Sequence, residues 1–119
     1  MRYWLFKCGG EATLNSYSSK EKFYEYIEYL KSLPHYIEYQ DYKTKDNRYL
    51  VVSHSTVGKA WNLRNSINVD DIKEFNHFVK WCRWKNHDNE AIFNVYGHTI
   101  FQEPLLNEYS CGIDVIYTN

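Results

Sequence analysis

The sequence predicts a mixed α/β fold, with helices packed on one mixed sheet. Three observations lead there. Two segments place apolar residues at helical spacing, and four short segments are rich in β-branched and aromatic residues. These segments run in the order helix, hairpin, helix, strand, strand along the 119 residues.

The first helix is predicted over residues 18–33, "SSKEKFYEYIEYLKSL", where Phe23, Ile27 and Leu30 fall on one face. Ser18 with Glu21 three residues on makes a capping box, and Pro34 ends the run. Next, "HYIEYQDY" and "RYLVVSH" flank the polar segment "KTKDN" and predict a β-hairpin. "NVDDIKEFNHFVKWCRW" returns to helical spacing through Ile72, Phe75, Phe78 and Cys82, with acids in its first turn and bases in its last. "AIFNVYG" and "GIDVIYT" supply two further strands.

A chain of 119 residues is expected to form a single domain with a modest core. The net charge of -1 and a pI near 6.5 argue against nucleic acid or an anionic membrane as partner. No apolar run reaches the length of a bilayer span, and "MRYWLFKCGG" is too weakly apolar to open a signal peptide. A cytoplasmic location is therefore expected. Cys8, Cys82 and Cys111 form no CxxC pair, which disfavours a zinc ribbon or a redox motif. "STVGKA" fails as a phosphate loop, because Ser53 and Ala60 stand where that motif needs Gly and Ser/Thr. No G-x-S-x-G elbow occurs.

Six segments, in order, resemble a known family. "YWLFKCGGEATLNSY", "YIEYLKSLPHYIEY", "YLVVSHS", "AWNLRNS", "FNVYGHTI" and "SCGIDVIYTN" are similar to the C-terminal half of calcineurin-like metallophosphoesterases. The nearest group is the bacterial and phage serine/threonine protein phosphatases and dinucleoside tetraphosphatases. The resemblance implies part of that family's sandwich fold. Its D-x-H, GD-x-x-DRG and GNH[DE] motifs, which belong to the other half, do not occur here. Both ends of the chain read as cut from a larger architecture: it opens almost at once on an apolar segment and closes on a strand.

Such enzymes use two metal ions about 4 Å apart to activate water and to neutralise the transferring phosphoryl group. By resemblance, His54 after "YLVV" and His98 after "NVYG" are metal ligands, Arg64 clamps the substrate phosphate and Asp114 is structural. A planar guanidinium suits the clamp because it makes paired bonds to phosphate oxygens. The implied cofactor is Mn2+ or another divalent metal, once a site is completed. Gly97 is expected to let the backbone approach that site. Read without the family, a histidine at a strand end is an ordinary hydrogen-bonded turn residue. This sequence departs from the pattern where Val115-Ile116 replaces Thr-Gly and where His54-Ser55 replaces His-Ala.

Two functional expectations follow. The first is a truncated or split phosphoric monoester hydrolase, weak alone and completed by a missing N-terminal phosphatase half. The second is a catalytically inactive phosphatase remnant, such as a phage would encode, that binds another protein as an inhibitor. Trp81, Arg83 and Trp84 are of the residue types that dominate interfaces and would form that partner surface. A sheet left with one apolar face uncovered would also favour a homo-oligomer.

Overall fold

A computed structural model describes residues 2–83 and 89–116 of the chain. They form two compact units, residues 1–34 and 35–119. Among the described residues no helix is long and apolar enough to cross a membrane.

The first unit holds α1 (Arg2–Lys7), α2 (Gly10–Asn15) and α3 (Lys20–Ser32). The two short helices carry no strong periodic signal and were not expected from the sequence. The N-cap of α3 is Ser19 rather than Ser18: Ser19 is extended, and its hydroxyl accepts from the Lys22 amide. Phe23 and Ile27 turn inward and, with Trp4, Leu14 and Tyr24, line an apolar cavity. Leu30, expected on the same face, is 56% exposed.

The second unit is a five-stranded mixed sheet with its helices. β1 (Tyr36–Lys43) and β2 (Tyr49–Ser53) form the expected antiparallel hairpin. A 3-10 helix (Gly58–Leu63) and α4 (Val69–Trp81) then cross to β3 (Ile92–Tyr96), which lies parallel to β2. β4 (Leu105–Leu106) and β5 (Ser110–Gly112) complete the order β1-β2-β3-β5-β4, with β5 parallel to β3 and β4 antiparallel to β5. The closing strand thus lies earlier than "GIDVIYT" suggested. Of that segment Gly112 belongs to β5, and Val115 makes only an isolated bridge to Phe101. Residues 117–119 lie outside the described set.

α4 starts where Asn68 accepts hydrogen bonds from the Asp70 and Asp71 amides at 2.8 and 3.4 Å. Asp70 and Asp71 then face the positive end of the helix dipole. Its inward face is Phe75 and Val79, while Ile72 is largely exposed. These two pack with Val51, Val57, Ala60, Trp61 and Ile92 into the core between the helices and the sheet. Tyr36 closes that core with edge-on contacts to Trp61 and Phe75. β3 alternates strictly, with Ile92, Asn94 and Tyr96 buried and Phe93 and Val95 less so.

Candidate functional site

Parallel pairing of β2 and β3 brings two distant segments to one sheet edge. The register ends at Ser53 opposite Tyr96, so both chains leave the sheet side by side at their C-terminal ends. His54 follows Ser53 directly. One further backbone bond, from the Gly97 amide to the His54 carbonyl at 3.0 Å, carries the pairing past the strands. The next residue, His98, has φ 64. It is the centre of a three-residue turn closed by the Thr99 amide donating to the Gly97 carbonyl at 2.7 Å. That form of turn is strained for a residue with a Cβ. The strain sits on His98, not Gly97. A Cβ built on Gly97 would stand 3.5 Å from the His54 carbonyl oxygen, an ordinary contact, so the glycine there is not a steric requirement.

The two imidazoles meet. His54 Nε2 lies 3.0 Å from His98 Nδ1, and the ring centroids are 4.7 Å apart. One nitrogen must carry the shared proton and the other accept it. His54 is exposed and His98 half-buried.

A buried polar network holds the loop that carries His54. Asn94, fully buried on β3, accepts from the Val57 amide at 2.9 Å and donates to the Val51 carbonyl at 3.2 Å and the Ser53 hydroxyl at 2.9 Å. Ser53 in turn donates to the Ser55 carbonyl at 2.6 Å. The Ser55 hydroxyl donates to the Phe78 carbonyl and accepts from the Cys82 amide, which fastens the loop to the end of α4. These are buried groups with partners, and such networks fix one geometry. Sequence reasoning did not identify Asn94, and it met Ser53 and Ser55 only as departures from motifs, without this role. The available signal was a polar residue at an inward position of "IFNVY".

The end of α4 supplies the rest of the setting. The Trp81 ring meets His98 edge-on at 5.9 Å and stays 63% exposed. The His98 imidazole is held below its usual titration range, first by desolvation, then by the charge of Arg83 and by His54. Hydrogen bonding to the Trp81 backbone and the nearby Asp114 carboxylate act the other way. The neutral ring, the form that binds metals, is thereby favoured. Arg83 is the cation whose charge acts on His98. Arg64 is turned elsewhere: its guanidinium lies 4.2 Å from the Trp61 ring centroid and donates to the Trp61 carbonyl at 3.2 Å. No described contact ties it to either histidine. Trp84 lies outside the described residues.

The pair fits two adjacent positions on one cation. Metal–nitrogen bonds of about 2.1 Å place two nitrogens about 3.0 Å apart at a right angle and about 3.4 Å apart at the tetrahedral angle. The observed 3.0 Å equals the first and is also the ordinary length of the hydrogen bond between the two rings. Among the described residues no group of three or more His, Cys, Asp or Glu is placed to hold a metal. The chain matches no protein-family model, no curated protein and no solved structure.

Proposed function

We propose that this chain contributes the imidazole side of a metal-dependent phosphoester hydrolase site, of the phosphatase type that its sequence resembles. The remaining ligands come from outside the described residues. The observation that carries this reading is the 3.0 Å approach of His54 Nε2 and His98 Nδ1 at the ends of adjacent parallel strands. A bound Mn2+ or similar cation would polarise a phosphoryl oxygen and acidify its bound water. The chain's own residues have narrower tasks. His54 and His98 offer two nitrogens at a separation that needs little adjustment, once the proton they share moves to the other nitrogen of its own ring. Arg83 sets a positive field where a phosphoester would lie. The Asn94 network holds the loop that carries His54 in place. Two imidazoles are too few for a catalytic zinc site, which takes three protein ligands plus water, so the lone chain turns over slowly.

The test is manganese binding to the purified chain, followed by electron paramagnetic resonance. One ion per chain is expected at pH 7.5, with affinity falling more than about tenfold in either His54→Ala or His98→Ala. Uptake that both single variants leave unchanged, or no uptake at all, would refute the reading.

A further inference from the structure

Of the described residues of the first unit, residues 1–34, only Gly10 is buried. The larger apolar side chains there line space instead of filling it. Trp4, Leu14, Phe23, Tyr24 and Ile27 surround a cavity of about 380 Å³ whose lining is almost wholly apolar. That volume lies in the range of small-molecule sites, roughly 300–1,000 Å³. The walls are held from behind. The Trp4 indole lies against the Gly10 backbone, where an added Cβ would overlap the ring. Phe23 makes edge-on contacts with Tyr17 and Tyr24, at ring-centroid distances of 5.4 and 5.8 Å. Apolar space of this kind leaves its lining short of dispersion partners and takes up apolar ligands.

One end of this space is charged. A second cavity, of about 540 Å³, shares Leu14, Phe23 and Tyr24 and continues to Ser19 and Lys20. Among the described residues Lys20 is the one charged group lining either cavity. Its ammonium lies 5.8 Å from the centroid of the Tyr24 ring, a wall common to both. The other two lysines of α3, Lys22 and Lys31, each pair with a glutamate at 2.6 Å. Among the described residues Lys20 has no carboxylate at that range. An apolar trough ending at an unpaired cation fits a ligand with an apolar tail and one anionic head. We propose that this trough binds a medium-chain fatty carboxylate, its tail between Trp4, Leu14, Phe23 and Ile27 and its head at Lys20. The tail supplies most of the affinity by leaving water, and the exposed ion pair adds less and sets the orientation. None of these residues belongs to the histidine pair, so the site stands or falls apart from the phosphoesterase reading.

The experiment is calorimetric titration of the whole chain with octanoate, hexanoate, 1-octanol and octylamine. One octanoate per chain is expected, bound about five- to tenfold more tightly than hexanoate, because two methylenes fewer are buried. Octanoate should exceed 1-octanol by about two- to fivefold, and octylamine should be the weakest of the eight-carbon probes. Lys20→Gln, at an exposed position, should bring octanoate down to the level of 1-octanol and leave 1-octanol unchanged. Leu14→Trp fills the cavity and should remove both; the Lys20→Gln arm decides the matter even where Leu14→Trp fails to fold. No saturable octanoate uptake, octylamine bound as tightly as octanoate, or octanoate affinity untouched by Lys20→Gln would overturn the proposal. Concentration-dependent self-association without octanoate uptake would overturn it too, and would give the trough to a second copy of the chain.

Discussion

Asn94→Ala should destabilise the second unit by about 3 kcal/mol. The figure follows from what each partner loses. The Val57 amide has Asn94 Oδ1 as its acceptor at 2.9 Å, on a fully buried residue. A buried donor left unpaired costs roughly 1–3 kcal/mol. The Val51 carbonyl and Ser53 hydroxyl each lose a donor, at about 0.5–1.5 kcal/mol apiece. Ser53 keeps its own bond to the Ser55 carbonyl, which limits that part. Asn94→Asp separates shape from bonding. It retains the volume and the acceptor for Val57, but turns an oxygen towards the Val51 carbonyl, and it should be at least as destabilising as Ala. Urea unfolding with an m-value near 1.5 kcal/mol/M would show a midpoint lowered by about 2 M. Hydrogen exchange would show the Val57 amide losing protection before its neighbours on β2. Asn94→Ala within about 0.5 kcal/mol of the parent protein would refute the network as a structural determinant.

Three other outcomes are expected. Asp46 is held at about 2, first by its hydrogen bond from Arg48 and then by that from Thr44. Its folded value lies below its ordinary 3.8, so its contribution is fully present above that pH and is lost as pH falls towards 2. Asp46→Asn should therefore flatten this part of the acid limb of an unfolding-versus-pH curve and leave its shape above pH 5 unchanged. Gly112→Ala should destabilise the sheet by about 1–3 kcal/mol in urea unfolding, because a Cβ there would overlap the Phe101 ring; Phe101→Leu in the same chain should recover part of the loss. His98→Asn should be no less stable to heat than the parent protein, since Asn tolerates positive φ, while manganese affinity falls more than about tenfold.

What the sequence made legible was governed by period and by turn chemistry. The hairpin, α4 and β3 each carry several residues that agree on one periodicity, and all three are found. α1 and α2 are six residues each, shorter than two helical turns, so no periodic pattern can build up in them. The closing strand was misplaced because "IDVIYT" has strong β propensity. Pairing instead uses Ser110–Gly112, where a small residue lets Phe101 pack over β5. Ile72 shares the helical spacing of α4, but the residues that turn inward are Phe75 and Val79. His54 and His98 were picked out as strand-end residues by resemblance. Their meeting depends on β2 and β3 being parallel neighbours, a long-range fact that no local pattern encodes. Arg64 shows the same gap: its motif was visible, but its partner in the fold is Trp61.

The balance of stability against site geometry is clearest at His98. A non-glycine residue at φ 64 costs of order 1–3 kcal/mol and persists only where its surroundings over-determine it. Here they do. The Gly97 amide is bonded to the His54 carbonyl, the Thr99 amide closes the turn, and Trp81 and His54 hold the ring from two sides. For stability alone, glycine would serve this turn better than histidine. The same strained backbone aims Nδ1 at His54 Nε2, 3.0 Å away. Strain, a neutral-favouring environment and a partner nitrogen converge on one side chain, and the proposed site draws on all three.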